Sequence, residues 1–152
     1  MNIFILDKDI QKSAEYLVDR HVVKMVLEHC QVLCSAFPKG TAPYRQTHYN
    51  HPCNRWSRES RQNYVWLLEY TRVMFNEYTR RYGKRHKSED VYLWCSENYH
   101  QLNLPSKGLT PFAQAMPEQY RNEDPVKAYR DYYMGEKRHI AQWKTQAPKW
   151  WT

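Results

Sequence analysis

The sequence predicts an all-α fold: a compact single domain over residues 1–152, with three to four helices packed around a long N-terminal helix. Three observations carry that expectation. The stretch from Asp9 to Phe37 holds no Gly and no Pro, and its Ala14, Val18, His21, Met25, Glu28 and Val32 recur every three or four residues. That spacing puts them on one face of a helix. A second stretch, from Pro52 or Asn54 to Tyr82, aligns Trp56, Asn63, Leu67, Tyr70, Met74, Tyr78 and Tyr82 near one stripe. Finally, no segment carries a strong strand signal, and the chain has no internal repeat.

Taken in order, Met1 to Leu6 is an apolar lead-in too short for a useful helix. Asp7 and Asp9 offer cap side chains to the first helix, which is expected to end near Phe37, before Pro38. Residues 38–53 form a polar loop in which three Pro and one Gly exclude a long helix. This loop holds Tyr44, Arg45, His48 and His51, a density of hydrogen-bonding groups that suits a site better than a plain connection. The second helix stops at Gly83; its aromatic stripe is core, and Arg55, Arg58, Arg61 and Arg72 lie on the other side. A third helix begins at Ser88-Glu89-Asp90, with acids in its first turn, and runs to about Asn98. Residues 101–124 are a long connection with one turn expected around Phe112 to Met116. Asp124 caps a last helix that has Pro125 in its first turn and carries Tyr129, Tyr132, Tyr133, Ile140 and Trp143.

The chain carries a formal charge of +7, and 15% of its residues are aromatic. Rings lie beside cations in RRYGKRH (80–86), KAYRDYY (127–133) and APKWW (147–151). Cations that bind phosphate, next to rings that stack or wedge, point to a polyanionic partner, with duplex DNA expected first. No stretch approaches a membrane span, and the first residues lack a signal-peptide pattern. Cys30, Cys34, Cys53 and Cys95 form no CxxC pair and are expected as reduced thiols. The expectation from these residues is a cytoplasmic monomer without a cofactor.

Glu28 is the residue that calls for explanation. It sits in the apolar stripe two turns after His21, with Lys24 one turn before it. A carboxylate on a buried face is unfavourable unless it is paired or shifts its pKa. A Glu28–Lys24 pair or a partly wet helix edge would satisfy that physics, and so would a catalytic carboxylate held in a cleft. His48 and His51, with Cys53 nearby, also raise a metal site. HxxH without a second ligand pair at standard spacing makes phosphate contact the better reading.

Three blocks then carry a family resemblance. Asp19-Arg20-His21 with Glu28 is similar to a D-Q-H motif followed by a Glu seven residues after the His. Trp66-Leu67, Glu77 and Arg81-Tyr82-Gly83 resemble an aromatic-Leu, Glu and Arg-Gly spacing on a long helix. Pro148-Lys149-Trp150-Trp151 resembles a P-x-W-aromatic ending. Together they resemble the phage endonuclease V type of pyrimidine-dimer DNA glycosylases. The resemblance implies a compact all-α enzyme that cleaves the N-glycosidic bond at a pyrimidine dimer and then nicks the abasic strand. It implies a terminal α-amine as nucleophile, here that of Met1, and Glu28 as the essential carboxylate, with His21 shaping the site. In the family, removal of Met exposes a Thr amine; here the bulk of Asn2 hinders that removal, so Met1 keeps the amine. Leu27 and Gln31 stand where the family has arginines, which leaves Arg20, Lys24 and Arg45 to replace their charge.

The implied chemistry is coherent in its own terms. Breaking the glycosidic bond builds positive charge on the sugar, which a carboxylate stabilises while an amine captures C1′ as an imine. The same imine permits elimination of the 3′ phosphate, with Glu28 as proton acceptor. The base must be extruded first, and DNA would be held by Arg20, Lys24, Arg45, His48, His51, Lys84, Arg85 and Trp150. Three other readings stand beside this one. A non-catalytic basic, aromatic-rich nucleic-acid-binding protein leaves Glu28 unexplained. A metal-assisted hydrolase would use His48, His51 and a carboxylate. A related enzyme of DNA base modification would share every motif.

Overall fold

The structure is a computed structural model describing residues 1–152. It is all-α, with six helices: α1 (Ile10–Tyr16), α2 (Asp19–Ser35), α3 (Pro52–Glu59), α4 (Arg61–Tyr82), α5 (Glu89–Asn98) and α6 (Pro125–Glu136). Single 3-10 turns lie at Tyr99–Gln101, Glu118–Tyr120 and Arg138–Ile140. The centre is α4, which packs against α1, α2, α3 and α5. The expected arrangement around a long N-terminal helix is therefore corrected, because that helix is two helices. No helix is long and apolar enough to cross a membrane.

The break falls at Leu17 and Val18, both extended at ψ 137° and 153°. Its cause lies far along the chain. The Arg81 side chain, fully buried on α4, donates to the carbonyls of Glu15 (2.8 Å) and Leu17 (2.7 Å) and pairs with Asp19 at 3.0 Å. A guanidinium that takes the carbonyls at a helix end satisfies groups that would otherwise be buried and unpaired. From the C-terminal side, Asp19 N–H donates to Gln142 O at 2.8 Å, and Trp143 Nε1 donates to Tyr16 O at 2.9 Å.

The expected helix from Pro52 to Tyr82 is likewise divided, at Ser60. Ser60 Oγ caps α4 by accepting from Gln62 N–H, and donates to Gly108 O at 2.6 Å. Asn63, the polar member of the aromatic stripe, exchanges two bonds with Thr110. The 101–110 connection thus docks on the α3–α4 junction. Gly83 ends α4 in the left-handed region at φ 67°, as its position predicts. Around Phe112 to Met116 the chain forms no helical turn but bends at Met116, whose N–H donates to Gln114 O at 3.0 Å, and α6 stops at Glu136, before Ile140 and Trp143.

Met1 to Leu6 runs extended through the core, with Ile3 to Leu6 buried. A buried strand without a sheet needs side-chain partners for its backbone. Tyr70 donates to Phe4 O at 2.6 Å, Leu6 N–H donates to Ser13 Oγ at 3.0 Å, and Arg130 Nε donates to Leu6 O at 2.8 Å. These bonds aim the chain start at the middle of α2. All four cysteines are free and buried, with the sulfurs of Cys34 and Cys95 3.6 Å apart.

Candidate active site

The α2 stripe is buried from Val18 to Val32, Glu28 included. Glu28 is only 9% exposed, and its Oε1 pairs with the Met1 α-amine. Lys24 Nζ lies 3.6 Å from Oε2 with its own side chain 69% exposed, too far for a hydrogen bond. Oε2 is therefore buried without a hydrogen-bond partner. Of the two ways to satisfy Glu28, the terminal amine is the principal partner and Lys24 a loose second.

Asn2 fixes the amine. Its Nδ2 donates to Ala115 O at 2.7 Å, and its Oδ1 accepts from Ile3 N–H at 3.0 Å and Tyr129 Oη at 2.8 Å. With the amide saturated on three sides, Met1 has little freedom to leave Glu28. Beneath it lies His29, wholly buried, with Nδ1 3.1 Å from Thr71 Oγ1 and Nε2 unpartnered. Burial first, then the positive terminal amine, lowers its pKa to about 3, against a raising contact from the Asn2 backbone. His29 is a neutral group under a cation.

His21 stacks on Phe4 at 4.4 Å between centroids, and its Nδ1 lies 2.6 Å from Tyr133 Oη. Tyr133 Oη accepts from Val18 N–H, and a phenol proton given to His21 Nδ1, its one other hydrogen-bond partner, would leave the His21 proton on Nε2. Burial, followed by Lys137, Lys24 and the terminal amine, lowers this imidazole also to about 3.

These groups line one pocket of about 280 Å³: Met1, His21, Lys24, Glu28 and His51, joined by Asn2, Phe4, Met25, Ala115, Tyr132 and Lys137. Three cations (the Met1 amine, Lys24 and Lys137) face one carboxylate. Lys137 Nζ stands 5.1 Å from the Tyr132 ring centroid and 5.9 Å from that of Phe4. Lys24 also belongs to a wider groove of about 690 Å³, lined by Arg20, Val23, Tyr82, His139 and Lys144 among others, with Lys144 over the Tyr82 ring at 5.2 Å. Another groove of that size, between Arg80 and residues 145–149, shares no residue with the pocket.

The other sequence candidates lie outside the pocket. Arg45, His48 and Lys84 are exposed. Arg85 is exposed but engaged by Glu89 and Asp90, both at 2.7 Å. Trp150 is half-buried against Tyr16 and Tyr133 with Arg130 over its ring, and its Nε1 is buried without a partner. The His48 ring bonds Thr47 Oγ1, its carbonyl accepts from His51 N–H at 3.0 Å, and no three His, Cys, Asp or Glu side chains gather as a metal set. Asn2, Phe4, Tyr132 and Lys137 are pocket residues that sequence reasoning did not single out. Nothing local marks them; only the threading of residues 1–6 beside α6 brings them to Glu28.

A model of the pyrimidine dimer DNA glycosylase family matches residues 1–90, a span that holds Met1, His21, Glu28 and His51 and excludes Tyr132 and Lys137. No curated protein and no solved structure matches the chain.

Proposed function

We propose a base-excision function from one premise: this chain belongs to the pyrimidine dimer DNA glycosylase family. The observation that carries the reading is the Met1 amine on Glu28 Oε1, with Oε2 left free in a cationic pocket. Glu28 takes a proton from the ammonium, which frees the amine's lone pair for attack. The C1′–N1 bond of an extruded pyrimidine nucleotide breaks, and the base takes its electron pair. Positive charge gathers on the sugar next to Glu28, in a site where water no longer screens it. The amine bonds to C1′ and gives up a second proton to water; Glu28 returns its own proton to O4′ as the C1′–O4′ bond breaks, leaving a protonated imine and a Glu28 carboxylate.

The lyase half follows from the same atoms. Glu28 removes a proton from C2′, the electrons move toward the imine, and the 3′ phosphate departs. Lys24 and Lys137, at the pocket wall, neutralise phosphates flanking the extruded nucleotide. Tyr132, the half-buried ring on the pocket, gives it a surface to stack on. The adjoining groove with Arg20, Lys24 and Lys144 continues the cationic path for the strand.

Borohydride trapping on duplexes carrying a pyrimidine dimer or a preformed abasic site tests this. The expected result is a covalent adduct with the unaltered chain and none with a chain extended at its N-terminus, while both bind DNA. Binding without any adduct would leave the non-catalytic reading in its place.

A further inference from the structure

We propose that His51 is a further catalytic residue: its Nε2–H donates a hydrogen bond to the pyrimidine O2 as the base leaves C1′. This rests on the base-excision reading above and adds the group that acts on the leaving side. Amine and carboxylate both act on the sugar. The departing base carries the electron pair of the broken bond, and that charge spreads onto O2, the acceptor nearest N1.

The geometry fixes which nitrogen of His51 is the donor. His51 caps α3, and its Nδ1 accepts from the backbone N–H of Cys53 at 3.1 Å. A backbone N–H only donates, so Nδ1 holds a lone pair, and the neutral ring carries its proton on Nε2. The ring lines the same pocket as Met1, Glu28 and His21. Partial burial, then the Met1 ammonium, then His48 lower its pKa, against an opposing pull from Glu28. Lys24, His21, Lys137 and Tyr132 are the other titratable groups on that pocket. The imidazole therefore enters the reaction neutral and acts as a fixed electrophile rather than as an acid. It keeps its proton; the detached pyrimidine anion is protonated afterwards by water.

A capping role alone would explain the Cys53 bond, so the test separates the two. Ser and Asn are both good N-cap residues, so His51→Ser and His51→Asn keep the cap, and Ser, whose short hydroxyl stays beside the backbone, leaves no donor at the position of Nε2. The readout is single-turnover formation of the trapped adduct on two duplexes. On a dimer, where the base must leave, His51→Ser is expected to slow adduct formation roughly 10²- to 10³-fold, the usual effect of losing one such donor. On a preformed abasic site, where no base leaves, its rate should be unchanged, which also shows the variant folded. His51→Asn, with a shorter donor, should fall between Ser and the unaltered chain on the dimer. Nitrogen NMR of the unaltered protein should find His51 Nδ1 unprotonated. Equal slowing on both duplexes, no slowing on the dimer, or a protonated Nδ1 would each overturn the donor role alone. No adduct from the unaltered chain on either duplex would overturn the base-excision reading and this role with it.

Discussion

Two buried glutamates meet buried cations in this molecule, and they end differently. Glu77 on α4 is saturated: Arg80 reaches both of its oxygens at 2.9 and 2.7 Å, and Arg81 reaches Oε2 at 2.6 Å. Arg81 passes the contact on to Asp19 and to the carbonyls at the α1–α2 break. Glu28 on α2 has one oxygen on a terminal amine and one with no hydrogen bond, and it opens on a pocket. Burial alone does not separate structure from chemistry. The separation lies in what is left unsatisfied: the Glu77 network is closed, whereas Glu28 Oε2 is buried without a hydrogen bond beside a terminal amine, the arrangement on which the proposed mechanism rests.

The largest expected effect breaks the closed network. Arg81→Ala leaves Glu77 with one partner and strips the caps from the α1–α2 break. Removing one member of a buried pair is strongly destabilising, about 3–5 kcal/mol, and chemical unfolding measures it. Excision by the fraction still folded should be near normal, since Arg81 is not in the pocket.

Glu28→Gln should give the opposite pattern. It preserves shape but, on the proposed mechanism, removes the base and the charge that would stabilise the sugar cation. Activity is expected to fall by at least about a hundredfold in single-turnover assays. Melting temperature should fall, though by less than in Arg81→Ala, because the buried Met1 amine loses its counter-ion while Gln still offers it a hydrogen-bond acceptor; DNA affinity should hold. Full activity in this variant would return Glu28 to the class of Glu77.

Acid should distinguish the two sites as well. His21 and His29 near Glu28 are held neutral, both with pKa near 3, whereas Glu77 faces arginines that stay charged. Their unfolded-state pKa is near the ordinary 6.5, so below it the unfolded chain binds protons that the folded chain does not. Stability is therefore full above about 6.5 and declines as pH falls from there toward about 3. Urea midpoints across that range should show the decline, and His29→Gln should make it shallower.

The smallest effect concerns the groove beyond the pocket. Replacing Arg20 or Lys144 with Ala should weaken duplex binding evenly across sequences and lower the log–log salt slope by about one per lost phosphate contact. An unchanged slope in both would remove this groove from the DNA path.

The helical face of Glu28 was legible because period and burial agree along a single helix: His21, Met25 and Val32 are all buried with it. The Gly83 stop and the Asp124-Pro125 start were legible for the same reason, since caps are local. The Leu17–Val18 break was not. Its sequence suits a continuous helix, and what opens it is an arginine more than sixty residues away. Lys137 and Tyr132 were hidden in the same manner, as was Asn2, whose amide has a purpose only once Tyr129 and Ala115 stand beside it. Local pattern found the carboxylate; tertiary closure supplied its pocket.

The central claim is that the Met1 amine, held on Glu28, is the nucleophile. Peptide mapping by mass spectrometry of the borohydride-reduced adduct tests it most directly. The expected result is a single modified peptide carrying the sugar on the Met1 nitrogen, with the adduct absent from Glu28→Gln on dimer substrates. A sugar mapped instead to Lys24 or Lys137, the other amines of the pocket, would contradict the account.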